Sequence, residues 1–213
     1  MKRKGRKNEV MTYFRIITLG DSFVGKTSII KTLANNNFNS ETFSTIGINY
    51  HIKEFTMDDN HKIGLKVIDT CGQEKYRSLS KSYFKNVDAV LFVFSLIDKE
   101  SFDNIKYWIE LYNTNSSTIM SPKYLVGNKN DLEKSIDQKL IEEFSKENDM
   151  PFISTSAKNN DSIQRLFEEI AQKLYKLYKN SNTENVKQRK SRIISLSHKK
   201  KKKNSCCINR LDI

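Results

Sequence analysis

A chain of 213 residues with 37 Lys and Arg against 25 Asp and Glu carries a formal net charge of +12, a size that fits one domain with a sizeable core plus tails. The charge is not that of a nucleic-acid binder: residues 1–10 hold five basic side chains and one acid, residues 179–213 hold eleven and two, and the 168 residues between them hold 21 and 22. This reads as a basic N-terminal extension over 1–11, an electrically balanced domain over 12–179 and a flexible basic tail over 180–213; three cysteines, Cys71, Cys206 and Cys207, make no disulfide framework and fit a reducing compartment.

The first element is a buried strand, Phe14–Leu19, rich in β-branched and aromatic residues. It runs into Gly20-Asp21-Ser22-Phe23-Val24-Gly25-Lys26-Thr27, a full G-x-x-x-x-G-K-T match, and a helix over about Lys26–Leu33 leaves it. The glycines let the chain curl so that backbone N–H groups face phosphate oxygens, and the helix N-terminus adds partial positive charge. In such a loop Lys26 reaches the β- and γ-phosphates and the Thr27 hydroxyl ligates Mg²⁺. The loop specifies a nucleotide phosphate and leaves the base open.

Residues 35–45 are rich in Asn and Ser with little apolar content, as suits a reversible loop. Ile46–Thr56 and Lys62–Ile68, joined by Met57 to His61, read as a hairpin and so as one antiparallel edge. The second of these strands ends at Asp69-Thr70-Cys71-Gly72-Gln73-Glu74. An acid at a strand end is where P-loop proteins hold Mg²⁺, and Gly72 permits close approach of the backbone to a γ-phosphate. Ala89–Leu96 is the longest apolar stretch, well short of the roughly 18 residues a membrane span needs. No secretory leader is evident in Met1–Val10.

Tyr124–Val126 is the next strand, and Asn128-Lys129-Asn130-Asp131 follows it. A carboxylate at Asp131 accepts from N1–H and N2–H₂ of guanine, donors that adenine lacks, so a site built around it selects guanine. Leu140, Ile141 and Phe144 mark a short helix, Pro151–Ile153 a short strand, and Ser156-Ala157-Lys158 offers a backbone N–H to guanine O6. Apolar residues from Ile163 to Leu177 at spacings of three and four mark a helix over Ser162–Tyr178. Strand–helix alternation of this kind gives an α/β domain with a largely parallel sheet.

Taken together, these motifs and their order resemble the small GTPases of the Ras superfamily, and specifically the Rab family, over about Thr12 to Tyr178. Further likeness lies in Ser44-Thr45-Ile46-Gly47-Ile48, in Gln73 to Leu79, in Tyr83-Phe84, and in Ser101-Phe102 leading to Trp108. The resemblance implies a P-loop NTPase fold: a six-stranded, mostly parallel sheet with one antiparallel edge strand and helices on both faces. It implies nucleotide contacts from Ser22, Phe23, Val24, Gly25, Lys26, Thr27 and Ser28 of the loop and from Asn128, Lys129, Asp131, Ser156, Ala157 and Lys158. Phe38 would stack on guanine. Thr45 would join Thr27 and Asp69 on Mg²⁺ in the GTP state only, Gly72 would donate to the γ-phosphate, and Gln73 would orient the attacking water. GTP or GDP and Mg²⁺ are the implied ligands. The implied activity is a slow hydrolysis hastened by a partner's arginine, within a switch that recruits effectors in vesicle traffic. Implied partners are effectors at the switch regions, an exchange factor, a GTPase-activating protein, an escort protein, a dissociation inhibitor and a membrane surface, with no nucleic acid. A cytoplasmic protein held reversibly on an endomembrane would follow.

Several positions depart from the Rab pattern. The aromatic triad read by effectors becomes Tyr50, Ile68 and Tyr83; Asn49 replaces an Asp, Cys71 an Ala, and Phe23 a small residue. Phe23 is expected to lean outward, where it obstructs an incoming arginine. The run Lys199–Lys203 attracts anionic lipid by ~1 kcal/mol per Lys, and the pair Cys206-Cys207 resembles the lipidated end of Rab proteins. Six residues follow that pair, and Arg210 stands where a C-a-a-X sequence needs Cys. Two other readings are a signalling or nuclear-transport GTPase whose tail is an address, and a P-loop small-molecule kinase using ATP. Asp131 with Ser156-Ala157-Lys158 disfavours the kinase.

Overall fold

A computed structural model of the chain describes residues 11–35, 49–70, 84–116 and 121–181. The elements in order are β1 (Thr12–Leu19), α1 (Lys26–Asn35), β2 (Asn49–Thr56), β3 (Lys62–Asp69), β4 (Ala89–Ser95), α2 (Lys99–Asp103), α3 (Ile105–Asn115), β5 (Lys123–Asn128), α4 (Gln138–Glu147) and β6 (Phe152–Ser154). A helix over 160–181, α5, follows. The chain divides into two compact units, Met1–Leu174 and Tyr175–Ile213. In the second, the described helical residues stack Tyr175 on Tyr178 at 6.4 Å and place the Lys179 ammonium 5.3 Å from the Tyr175 ring centre.

The six strands of the first unit form one sheet in the order β2-β3-β1-β4-β5-β6. β2 runs antiparallel to β3, from Asn49 opposite Asp69 to Thr56 opposite Lys62, and the other pairings are parallel. The expected mixed sheet with one antiparallel edge is therefore what forms, with helices flanking it. The β2–β3 turn closes through Met57 N–H to the His61 carbonyl at 2.9 Å, with Asn60 at φ +62°. Asn tolerates that left-handed conformation better than most residues.

Burial explains the sequence pattern. All seven residues of β4 are buried, as a central parallel strand covered on both faces requires. Phe92, Phe94, Phe102, Tyr112, Leu125, Ile141 and Phe144 belong to one core cluster with Trp108. Within it Phe102 lies 5.0 Å from Phe94 and 5.3 Å from Phe144, centre to centre, distances at which tilted aromatic pairs add to the effect of burial. Packing of α2 and α4 on the β4–β5 half therefore needs no local propensity beyond a capped start. Asp98 caps α2 by accepting from the N–H groups of Glu100 and Ser101, and Asp137 caps α4 through Lys139 N–H, each such cap adding about 1 kcal/mol.

The order of strands fixes where chemistry belongs. β1 connects through α1 to β2 on one side of the sheet, whereas β3 connects across β1 to β4 on the other. In an open parallel sheet, the crevice outside the carboxyl ends at such a reversal is the ligand position. β1, β3, β5 and β6 run parallel and all end at that edge.

Candidate nucleotide-binding site

The loop after β1 is shaped by two glycines with left-handed φ, Gly20 at +148° and Gly25 at +102°. A Cβ at Gly20 would overlap the Val93 carbonyl oxygen, and one at Gly25 would overlap the Asn128 amide nitrogen. Only glycine lets the chain pass so close over β4 and β5. Between them Phe23 holds φ +62° without being glycine, and its ring is 70% exposed. This is the outward-leaning side chain that the sequence suggested.

Lys26 opens α1 and is almost wholly buried. Its ammonium donates to the carbonyls of Gly20 at 2.7 Å and Asp21 at 2.6 Å, so it is held across the loop it follows. Next to it, the Thr27 hydroxyl donates to Asp69 Oδ2 at 2.8 Å. Asp69, the last residue of β3, is buried, and its Oδ1 has no hydrogen-bond partner among the described residues. Burial pushes its carboxyl upward, opposed by the Thr27 bond and then by the Lys26 charge. A buried carboxylate oxygen without a donor, beside a threonine hydroxyl, is a donor set suited to a hard cation such as Mg²⁺.

Asn128, at the end of β5 and 1% exposed, ties the loops together. Its amide nitrogen donates to the Val24 carbonyl at 2.9 Å, and its amide oxygen accepts from Ala157 N–H at 3.1 Å. One side chain thus joins the glycine loop to the loop after β6. A second tie is the Thr32 hydroxyl of α1, which donates to the Ala157 carbonyl at 2.8 Å. Lys129 turns the chain with φ +65° and leads to Asp131.

The Asp131 carboxylate accepts from the Ser156 hydroxyl at 2.7 Å and pairs with the Lys158 ammonium at 3.0 Å. The Ser156 bond above all holds it below the usual carboxylate range, opposed by burial and assisted by the Lys158 bond. Each carboxylate oxygen accepts more than one hydrogen bond, so these contacts orient Asp131 and keep it ionised without exhausting it. Ser22, Ser28 and the other loop residues lie in the same stretch at the β1–α1 junction.

The structure therefore brings Ser22 to Ser28, Asp69, Asn128, Lys129, Asp131, Ser156, Ala157 and Lys158 to one edge of the sheet. The sequence model of the Ras family matches residues 15–176. Ras-related protein Rab-18 of Lymnaea stagnalis is 35% identical over 171 residues, 79% of this chain and 83% of that protein.

The chain belongs to the Ras superfamily as a Rab-type small GTPase.

As a GTPase it binds guanine nucleotide and hydrolyses GTP to GDP and phosphate. Phe38, Thr45, Cys71, Gly72, Gln73, Tyr83, Cys206 and Cys207 lie outside the described residues. Of the divergent aromatic triad, Tyr50 is exposed on β2 with the Lys66 ammonium 3.9 Å from its ring centre, while its neighbour across the ladder, Ile68, is 3% exposed. Ile68 is thus a core position in this GTPase, while Tyr50 faces outward.

Besides the Asn128 ties, two contacts escape the sequence reading. The Thr32–Ala157 tie joins residues 125 apart, and no local pattern announces it. The second surrounds Asp21, whose carboxylate accepts from Asn104 Nδ2 at 2.8 Å and Trp108 Nε1 at 2.6 Å. A signal for it did exist: a carboxylate inside a phosphate loop has to be turned away and given donors.

Proposed function

We propose that this GTPase is a nucleotide-dependent switch that recruits effectors in its GTP state and regulates vesicle traffic on the cytosolic side of an endomembrane. The reading is carried by one observation above the others: Asn128 bonds the phosphate loop at Val24 and the guanine loop at Ala157. Phosphate and base recognition are thereby mechanically one site. Lys26 serves the β- and γ-phosphates, Ser22, Phe23, Val24, Gly25 and Ser28 line the phosphate path, and Asp131 with Lys129, Ser156 and Lys158 builds the guanine end. Phe38 covers the base.

Thr27, Asp69 and, in the GTP state, Thr45 would hold Mg²⁺, which would neutralise charge on the phosphates. Thr45 and Gly72 are retained by the γ-phosphate and released when it is hydrolysed, so the two segments that carry them report the nucleotide state. Gln73 orients the attacking water. On the expectation that no arginine of its own loops acts in cis, the isolated chain turns over slowly, and an activating protein accelerates it. An exchange factor resets the cycle, with an escort protein and a dissociation inhibitor handling the lipidated form. The tail reaches the membrane through Lys199–Lys203 and lipid on Cys206 and Cys207, while the domain over 12–179 carries the switch. No helix among the described residues is long and apolar enough to cross a membrane.

Single-turnover hydrolysis by the full chain tests the catalytic part: the rate is slow and falls further in Gln73→Leu, and fast turnover without a partner contradicts it. Membrane fractionation tests the anchor. Cys206→Ser with Cys207→Ser shifts the chain to the soluble fraction; unchanged membrane binding removes lipidation from the account.

A further inference from the structure

Asp21 puts a negative charge in a loop whose ligand is itself strongly negative, an arrangement that repulsion disfavours unless the carboxylate is turned aside. Both its oxygens are bonded away from the loop, to Asn104 Nδ2 and to the indole N–H of Trp108. These donors sit at the break between α2 and α3. Asn104 ends one helix and caps the next with φ −73° and ψ −8°, and Trp108 N–H of the backbone returns to the Asn104 carbonyl at 3.3 Å. Trp108 is 3% exposed and is the only tryptophan in the chain.

The corner is itself fastened to the sheet. Ser95 N–H, at the end of β4, donates to the Ser101 hydroxyl at 3.0 Å, and the Ser101 hydroxyl donates to the Asp98 carbonyl at 2.7 Å. On its other side Asp21 accepts from Lys26: the backbone carbonyl of Asp21 takes the ammonium at 2.6 Å, beside that of Gly20. One residue thus holds the α2–α3 corner with its side chain and the phosphate-binding lysine with its main chain.

We propose that Asp21, Asn104 and Trp108 form a clamp that positions Lys26 for the nucleotide phosphates, so that the α2–α3 corner governs how long the nucleotide is retained. The inference rests on the reading of Lys26 as the phosphate ligand. Asp21 is a positioning residue: its carboxylate is turned to Asn104 and Trp108, and it acts through the direction of its own carbonyl. A hydrogen bond to a charged acceptor is roughly twice as strong as a neutral one, which suits a fixed clamp.

The test uses the full chain loaded with fluorescent GDP in Mg²⁺ buffer, with release followed after adding excess unlabelled GDP. Asp21→Ala and Trp108→Phe are each expected to release GDP about tenfold faster, equivalent to ~1.4 kcal/mol. The double variant is expected to be no faster than Asp21→Ala alone, because one interaction is lost in all three. Asp21→Asn, which keeps an acceptor for the indole, is expected to restore part of the retention. Trp108 emission supplies a signature: it shifts when EDTA strips nucleotide from the wild type and stays constant in Asp21→Ala. If Trp108→Phe does not fold, Asn104→Ala closes the same cycle. Release at the wild-type rate in Asp21→Ala, or additive effects in the double variant, overturns the clamp. A wild-type chain that retains no GDP overturns the reading of Lys26 instead, so the two failures are distinct.

Discussion

Phe23 is the residue at which this loop departs most from what its backbone asks for. A bulky side chain at φ +62° costs roughly 1–2 kcal/mol relative to glycine, and strain of that kind persists where something else depends on it. Because the ring is 70% exposed, its removal forfeits little burial. Phe23→Gly relieves the strain and raises the entropy of the unfolded chain by an amount worth about 0.5–1 kcal/mol, leaving a net gain of about 0.5–1 kcal/mol. For a domain of this size that is a rise of about 1–4 °C in Tm, read by thermal melts at saturating GDP so that mass action is constant. Phe23→Ala separates the two causes: alanine keeps most of the left-handed strain, so its Tm stays near that of wild type. If Phe23→Gly instead lowers Tm by several degrees, the ring is a packing element and the strain argument is wrong. In hydrolysis assays with an activating protein, Phe23→Gly turns over faster than wild type if the ring blocks an incoming arginine; an unchanged rate removes that role.

Asn128→Ala leaves the Val24 carbonyl and Ala157 N–H without their buried partner, a loss of about 2–3 kcal/mol. Thermal melts should show a drop of about 4–12 °C, together with faster GDP release, since both ends of the site loosen. Asp88 accepts from Arg15 N–H at 2.7 Å, and burial raises its carboxyl above the usual value, against the Arg15 bond and charge. The folded state therefore binds this proton more tightly than the unfolded one. Its contribution to stability is largest at low pH and is lost as pH rises through the window just above the ordinary aspartate range. Urea titrations of wild type and Asp88→Asn across pH 4 to 6 should differ by that slope, and identical slopes refute the assignment.

Much of the fold was legible because period and punctuation agreed. The strand–glycine loop–helix run from Phe14 to Leu33 became β1, the phosphate loop and α1, with the helix extending to Asn35. The turn Met57 to His61 closed as expected. The short strand expected at Pro151–Ile153 forms one residue later, at Phe152–Ser154, because Pro151 carries no N–H for a ladder while its carbonyl still accepts from Leu125. The break at Asn104 was not legible: Phe102, Ile105 and Trp108 keep helical spacing across it, and the interruption is held by bonds to Asp21, 83 and 87 residues away. In the site, residue identities could be read from motifs. Their cross-ties through Asn128 and Thr32 depend on the sheet that brings distant loops to one edge.

The central claim is that the converged loops select guanine through Asp131 and hold its phosphates through Lys26. Competition binding on the nucleotide-stripped full chain in Mg²⁺ buffer tests it most directly, with fluorescent GDP as probe and GDP, GTP or ADP as competitor. GDP and GTP should displace the probe at stoichiometric concentration, while ADP should fail at an excess on the order of 10³-fold, because adenine cannot donate to the Asp131 carboxylate. Displacement by ADP at concentrations comparable to GDP would contradict the account.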